Sequence, residues 1–471
     1  MLAITAALLP AFLGGLGLVL LLTEFPRKQL MPWVLLLLMT VGSGFGITSV
    51  VYFLWRLFSL SPRVLVLMDW AVAACVVAAA ILKIRRSKLS ATEPALENGI
   101  NDAPSGLRRI LSAVFFLMLT GTIVYLVSAT LRHPQGEADA VPIWNLHARF
   151  LFRGGANWAA YLTRDLSWTH PDYPLLLPAT VARVWTYLGR DPSLVSALIA
   201  CLFLLSTVGL LVSGLALLKG REEGYLAGML LLGTPLFVRI GGSQMADLPL
   251  SYFLLVPLVL ICLYDQSAKP PRGLLILTGL FVGCAAWTKN EGLLFALAIL
   301  IARFISKKIY SGWWPTIREI GFLLIGMSPC LLLVFYFRTR WAPANDLIGP
   351  LQLHMLTARA SDITRYALIL KEFLLETVRF SRGFVSLPLL AIYLILVRTR
   401  IPKSLRAGTL TAWLTYFLML LGYFFIYIIT PHDLAWNLEA SLERLYVQLW
   451  PMVLFACFLA AKGPRELLQK A

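Results

Sequence analysis

The sequence predicts an all-α polytopic integral membrane protein with about thirteen transmembrane helices. Three observations carry this. The chain is 59% hydrophobic and only 14% charged, where a soluble domain carries about a quarter charged residues. Its apolar runs repeatedly approach or exceed the roughly 20 residues that cross a bilayer as a helix. Its lysines and arginines gather in alternate short connections between those runs, the asymmetry that membrane insertion imposes.

In chain order the spans fall near 1–23, 31–54, 64–82, 107–131, 193–218, 224–240, 248–264, 273–288, 290–305, 319–337, 383–397, 408–429 and 446–461. The first lacks a basic leading segment and a clear small-residue cleavage site, so it reads as an anchor rather than a removed signal peptide. Some runs are shorter than a straight span. The eighth and ninth form one apolar stretch broken by WTKNEG, Trp287 to Gly292. Lys289 and Glu291 are costly in hydrocarbon, so a turn at one membrane face is expected there.

The basic connections are Arg27–Lys28, Lys83 to Lys88, Arg108–Arg109, Lys219 with Arg221, Lys307–Lys308, Arg398 to Arg406, and the tail from Lys462. All fall on one side of the thirteen-span arrangement, and that side is the cytoplasm. The N-terminus is then outside and the C-terminus inside. The expected location is the plasma membrane, which in a bacterium is the inner membrane.

Much of the net charge of +17 is this inner rim, which suits an anionic leaflet. No basic stripe is interleaved with exposed aromatics, so nucleic acid is not an expected partner. The six cysteines, Cys75, Cys201, Cys262, Cys284, Cys330 and Cys457, all fall in expected spans. Without a CxxC or a cysteine in an outer loop, neither a disulfide framework nor a cysteine metal site is expected.

This arrangement puts all five histidines, His133, His147, His170, His354 and His432, on the outer side, with most of the acids. Within the spans Asp69 is the main charge. A transporter normally carries ionisable groups at mid-membrane depth. Chemistry gathered at one surface points instead to an enzyme working at the external face.

The expected organisation has four parts: residues 1–106, a three-span unit ending in a cytoplasmic linker; 107–338, a catalytic membrane module; 339–382, a long outer loop; and 383–471, a C-terminal three-span unit. The linker from Ser90 to Gly106 has a disorder-like composition. A further outer loop, about 132–192, is long and rich in Trp, Tyr and Pro. Loops of such length are usually functional or disordered, and this composition favours folding against the membrane.

Within that loop, Trp144, His147 and Phe150 to Phe152 form an amphipathic pattern closing at Gly154–Gly155, a helix C-terminal signal. Arg149 and Arg153, four apart, share one face. Then SWTHPDYPLLLPA, Ser167 to Ala179, places His170, Asp172 and Tyr173 among three prolines. Pro171 and Pro174 disfavour helix before Leu175, after which the chain can run as an interfacial helix. Polar groups at its entry would sit at headgroup depth.

Four segments resemble those of the bacterial GT-C glycosyltransferases, near the aminoarabinose-transferase and protein-O-mannosyltransferase branch. ADAVPIW (Ala138 to Trp144) is similar to their catalytic-aspartate segment and THPDYPLLLP (Thr169 to Pro178) to the entry of their interfacial helix. QMADLPLSYFLL (Gln244 to Leu255) is similar to a second acidic site opening a span, and WTKNEGLLFALA (Trp287 to Ala298) to a lysine turn. The closing TPHDLAWNLEASLERLYVQLWP (Thr430 to Pro451) looks like a feature of one bacterial subgroup. The resemblance covers roughly 107–300 and 430–461. It implies a GT-C-like fold, a polyprenyl-phosphate-linked sugar as donor, and a lipid, glycan or protein as acceptor. Two features depart from the pattern: three spans precede the module, and Asp139 stands between two alanines, leaving Glu137 open as an alternative base.

Glycosyl transfer from a lipid phosphate needs a base for the acceptor hydroxyl and cations for the departing phosphate. Asp139 and Asp247 are the catalytic candidates, Asp139 as base of an inverting reaction; Asp247 also suits a helix N-cap. Lys289 is a compact cation for phosphate, and Glu291 can pair with it. His170, Asp172, Tyr173, Arg149 and Arg153 are candidates for substrate binding, and His432, Asp433 and Arg444 could close the site from the C-terminal side. Asp139, Asp172, Asp247 and His170 offer donor atoms for a divalent metal, but no ligand spacing assigns one. The absence of a glycine-rich phosphate loop argues against direct use of a nucleotide sugar. The alternatives are a transporter or flippase of a lipid-linked saccharide, and a non-catalytic relative that binds lipid-linked glycans. The enzyme reading expects His170, Asp172, Lys289, Asp139 and Asp247 to converge on one cavity.

Overall fold

The computed structural model describes residues 2–24, 30–89, 106–345, 353–383 and 387–463. Arg27–Lys28 and the linker from Ser90 to residue 105 lie outside the described residues. The helices, in order, are α1 (Leu2–Leu22), α2 (Leu30–Leu57), α3 (Pro62–Leu89), α4 (Gly106–Arg132), α5 (Leu146–Arg153), α6 (Leu176–Leu188), α7 (Leu194–Leu218), α8 (Arg221–Leu232) and α9 (Pro235–Gly242). They continue with α10 (Asp247–Gln266), α11 (Arg272–Thr288), α12 (Glu291–Ser311), α13 (Trp313–Arg340), α14 (Leu353–Ser361), α15 (Ile363–Arg379), α16 (Leu387–Val397), α17 (Arg406–Ile429) and α18 (Leu434–Ala460). The only β-type pairing among the described residues is an isolated bridge between Thr399 and Ala461. This is an all-α polytopic membrane protein.

Every one of the thirteen expected spans coincides with helix, but not every helix is a full span. Among the described residues nine are by themselves long and apolar enough to cross: α1 to α4, α7, α10, α13, α17 and α18. The expected span 224–240 is a bent pair, α8 and α9, turning by 71°. Gly233, Thr234 and then Pro235 at the first position of α9 interrupt the hydrogen-bond ladder there. The last three fall on α11, with 17 residues, on the more charged α12, and on α16, with 11.

Helix α10 is the axis of the bundle. Nearly all its residues are buried against α7, α11, α17 and α18. Helices α3 and α4 instead expose most of their apolar surface, as lipid-facing helices do. Helices α11 and α12 form a tight hairpin: at Gly292 a side chain would collide with the Ala285 carbonyl oxygen, so only glycine lets the two backbones meet. Helices α1 and α2 are not peripheral to this bundle. Helix α2 packs on both α6 and α7, and α1 reaches α6 and α11.

One expectation changes. The helices hold more charge than Asp69 alone. Arg303 is fully buried and takes Asp265 through two hydrogen bonds of 2.7 Å and Glu319 at 2.7 Å. Arg108 meets buried Glu222 at 3.1 Å. Only Arg108 is expected in the basic rim; Arg303 and Glu319 fall inside expected spans, and Asp265 and Glu222 just beyond them. Helix α6, expected as an interfacial helix, is buried throughout its first ten residues, Leu176 to Trp185. It is enclosed by α1, α2, α5 and α11. Of the cysteines, Cys75 is exposed and Cys284 and Cys330 lie 4.0 Å apart as free thiols.

Candidate active site

The site is assembled by two connections sewn together. After α4 the chain turns at Gly136, whose φ is +81° and whose missing side chain leaves room for the Ser243 carbonyl. The Glu137 amide donates to that carbonyl at 3.2 Å. Gln244 donates to the Pro134 carbonyl at 3.1 Å, and Asn145 donates to the Gln135 carbonyl at 2.9 Å and to Gln244 at 3.2 Å. Ser196 donates to Asn145 at 2.7 Å. This small amide network fixes residues 134–145 against 243–245. Asp139 and Asp247 thereby come to face the same guanidinium.

That guanidinium is Arg444 of α18. Its Nη1 ion-pairs with Asp139 Oδ2, and its Nη2 donates to Asp247 Oδ2 at 2.9 Å. Asp247 opens α10 but makes no cap hydrogen bond to the backbone. Its Oδ1 accepts from Lys289 Nζ at 3.2 Å and from Gln448 Nε2 at 2.6 Å. Lys289, in the α11–α12 turn, also pairs with Glu291 at 2.8 Å. Tyr423 donates to Gln448 at 3.2 Å and so sets its amide orientation. Three carboxylates thus face two cations. Burial opposes the charge on Lys289, but Asp247 and Glu291 outweigh it and raise its pKa above the ordinary lysine value.

Exposure separates the two aspartates. The Asp247 side chain is 0% exposed and Asp139 is 34% exposed. A molecule arriving from solvent or lipid reaches Asp139 and the near side of Arg444, while Asp247 sits behind them with both oxygens engaged. Two buried polar atoms of the cluster, Arg444 Nε and Glu291 Oε2, have no hydrogen-bond partner among the described residues.

Tyr173 covers the cluster on one side. Lys289 Nζ lies 5.8 Å from its ring centroid, within cation–π range. The ring is stacked between Trp144 (5.5 Å, 20°) and His170 (4.8 Å, 9°). His170 ends a short helical turn with φ +50°, and its carbonyl accepts from the Tyr173 amide at 3.0 Å. Asp172 makes no ion pair with Lys289 or Arg444. It is buried, and its Oδ2 accepts from Asn290 at 2.7 Å and from Asn345 at 2.5 Å. Asn290 in turn accepts from Arg338 at 2.5 Å. Asp172 therefore grips the lysine turn from behind, between Lys289 and Glu291.

The remaining candidates lie elsewhere. Arg149 and Arg153 do share a face of α5, but that face meets Asp191, at 3.6 and 2.6 Å. Asp433 caps α18 by accepting from the Trp436 amide at 2.8 Å, and His432 packs edge-on against Trp436. Glu137 is 4.0 Å from His133 and outside the charge cluster. His147 is wholly buried against Tyr161, and burial pushes its imidazole down to about 3, so it is neutral. Gln448, Tyr423, Asn290, Asn345 and Arg338 were not singled out from the sequence. Gln448 had a signal: it lies four residues after Arg444 on one helix, hence on the same face.

Among the described residues no three His, Cys, Asp or Glu side chains gather as a metal-binding group. The family model described as dolichyl-phosphate-mannose-protein mannosyltransferase matches residues 170–334, about a third of the chain. That family has a GT-C polytopic membrane fold. The match contains His170, Asp172, Tyr173, Asp247, Lys289 and Glu291, and stops short of Asp139 and Arg444. It supports a membrane glycosyltransferase of the mannosyltransferase type. Neither a curated protein nor a solved structure shows significant similarity to the chain.

Proposed function

We propose that the protein moves a sugar from a polyprenyl-phosphate donor to a hydroxyl of a lipid, glycan or protein acceptor, with inversion, at the outer face of the plasma membrane. The aminoarabinose-transferase and protein-O-mannosyltransferase branch is the place in the GT-C fold that this reading favours. The observation that carries it is the chain of charges from exposed Asp139 through Arg444 to buried Asp247 and Lys289. The catalytic module spans 107–338, and α18 completes it from the C-terminal unit.

The chemistry follows from the exposure gradient. Asp247 has no lone pair pointed at solvent, so its role is to hold Arg444 and Lys289 in place. A phosphodiester entering from the membrane competes with Asp139 for Arg444, and charge-assisted guanidinium–phosphate pairing favours the exchange. Asp139 is then released to accept a proton. The acceptor oxygen attacks the anomeric carbon from the side opposite the phosphate. The carbon–oxygen bond to the phosphate breaks with its electron pair going to the phosphate, and the acceptor proton passes to Asp139. Arg444 and Lys289 stabilise the charge appearing on the leaving phosphate. Tyr173, held in its stack by Trp144 and His170, borders the place beside Lys289 where the sugar would sit.

The test is transfer itself. Purified full-length protein is given radiolabelled polyprenyl-phosphate mannose and, in parallel, other polyprenyl-phosphate sugars, with envelope extract as acceptor. Release of polyprenyl phosphate coupled to label in the acceptor is expected with at least one donor. Failure with every donor, while a nucleotide sugar is consumed, overturns the reading.

A further inference from the structure

The reaction leaves the three N-terminal helices without a role, yet they hold polar side chains in places where polarity is costly. Asp69 of α3 and Arg183 of α6 are both fully buried, and Arg183 Nε donates to Asp69 Oδ2 at 2.7 Å. Tyr187 donates to the same oxygen at 2.8 Å. Arg183 Nη1 donates to the Ala7 carbonyl of α1 at 2.9 Å. Burying such a pair yields little net stability compared with an apolar contact. What it does supply is register, because each charge is strongly penalised anywhere but opposite its partner.

Helix α2 repeats the pattern on other parts of the α4–α7 connection. Tyr52 donates to the Leu151 carbonyl of α5 at 3.1 Å and lies 3.3 Å from Thr186 of α6. Arg56 donates to the Gly155 carbonyl just beyond α5. Phe53 then meets Trp158 of that connection (6.0 Å) and Trp287, two residues before Lys289 (5.5 Å). One helix therefore touches both the connection that carries Tyr173 and the end of α11 that leads into the Lys289 turn.

We propose that the three N-terminal helices are a positioning element for the active site. They hold α5 and α6 so that the His170–Tyr173 segment, at the entry of α6, keeps its place beside the lysine turn. Asp69 and Tyr52 are the positioning residues; neither touches the reacting groups. The kinetic part of this proposal rests on the glycosyltransferase reading, and the anchoring part does not.

The experiment uses Asp69→Asn and Tyr52→Phe in the full chain, in detergent or nanodiscs. Tyr52→Phe removes one hydroxyl and keeps the fold even if Asp69→Asn does not. Amide hydrogen exchange is read over 146–188, with α17 as an internal control. The expected result for Tyr52→Phe is about fivefold faster exchange in 146–188, the scale of one hydrogen bond, with α17 unchanged. In the transfer assay the donor KM should rise more than kcat falls. Exchange in 146–188 equal to wild type in both variants overturns the proposal, as does faster exchange with unaltered KM. If wild-type protein transfers no sugar while exchange still rises, the anchoring stands and the functional reading falls.

Discussion

Arg444 and Asp247, 197 positions apart in the chain, meet at 2.9 Å, and this contact ties the last helix of the bundle to its central one. Because Asp247 is also held by Lys289 and Gln448, the guanidinium is fixed from behind and presents its remaining edge to Asp139. Charge in the cluster is thus layered: an inner carboxylate that is saturated, a cation in the middle, and an outer carboxylate that solvent can reach.

Asp139→Asn should fold normally and lose transfer. The amide matches the carboxylate in shape but cannot accept the acceptor proton. The expected loss in kcat is about 10²- to 10⁴-fold, the usual contribution of a positioned base. Circular dichroism and thermal unfolding check the fold, and steady-state transfer checks the rate. Wild-type turnover would move the base to Glu137.

Arg444→Lys should behave as a severe change despite retaining charge. A single ammonium cannot span Asp139 and Asp247 as the two guanidinium nitrogens do. Arg444→Ala goes further and removes one of the buried Asp247 carboxylate's cations, a change that costs about 3 kcal/mol or more. Thermal unfolding should rank the variants wild type, Lys, Ala. Equal unfolding temperatures for all three would show that the contact with Asp247 adds no stability.

Much of this was legible in the chain before the structure. Pro171 and Pro174 delayed α6 to Leu176, Gly154 closed α5, and the Lys289–Glu291 break became a turn, because each depends on local backbone chemistry. What was not legible depended on contacts between distant segments. Asp247 looked suited to an N-cap, yet its oxygens go to Lys289, Gln448 and Arg444. Asp172 looked like a ligand for substrate, yet it grips Asn290 and Asn345. Arg149 and Arg153 shared the expected face, but Asp191 was waiting on it. Pattern reports which residues share a face, not what the fold puts opposite.

The basic connections are expected on the cytoplasmic side, which labelling can test. Single cysteines replacing Ser167 or His432, both exposed and on the side expected to face outward, should react with an impermeant thiol reagent in intact cells. Cysteines replacing Lys308 or Lys403, exposed at the basic end, should react only after lysis. The native protein supplies the background. Labelling of position 308 but not 167 would invert the topology and place the reaction in the cytoplasm.

Glu376 on α15 should make stability fall between mildly acidic and neutral pH. Burial, then the nearby Glu443 and Glu372 carboxylates, push its pKa up to about 7. The unfolded value is near ~4.3. Between these two values the folded protein keeps the proton and the unfolded chain releases it. Stability from this group is therefore full below the unfolded value, declines as pH rises toward 7, and is flat above it. Thermal unfolding at pH 5 and pH 8 should show the decline in wild type and a smaller one in Glu376→Gln. An identical decline in both would assign it to other groups.

Lys289→Ala separates donor binding from fold and from chemistry. Removing this cation does not strand Asp247, because Arg444 and Gln448 still hold both of its oxygens. The folded state should therefore survive. What changes is the balance around the phosphate: three carboxylates would face one cation, and an anionic phosphodiester would be repelled where it was attracted. A hydrogen bond to a charged group contributes about 1.5–3 kcal/mol, which corresponds to roughly 10- to 100-fold in affinity. Donor KM should rise by that order, while KM for the acceptor hydroxyl, which meets Asp139 on the exposed side, stays near wild type. Glu291→Gln should do the reverse on a smaller scale, tightening donor binding by leaving Lys289 less neutralised. Kinetics with each substrate varied in turn distinguish these outcomes. A rise in acceptor KM with unchanged donor KM would show that Lys289 only braces Asp247 and that the phosphate is held by Arg444 alone.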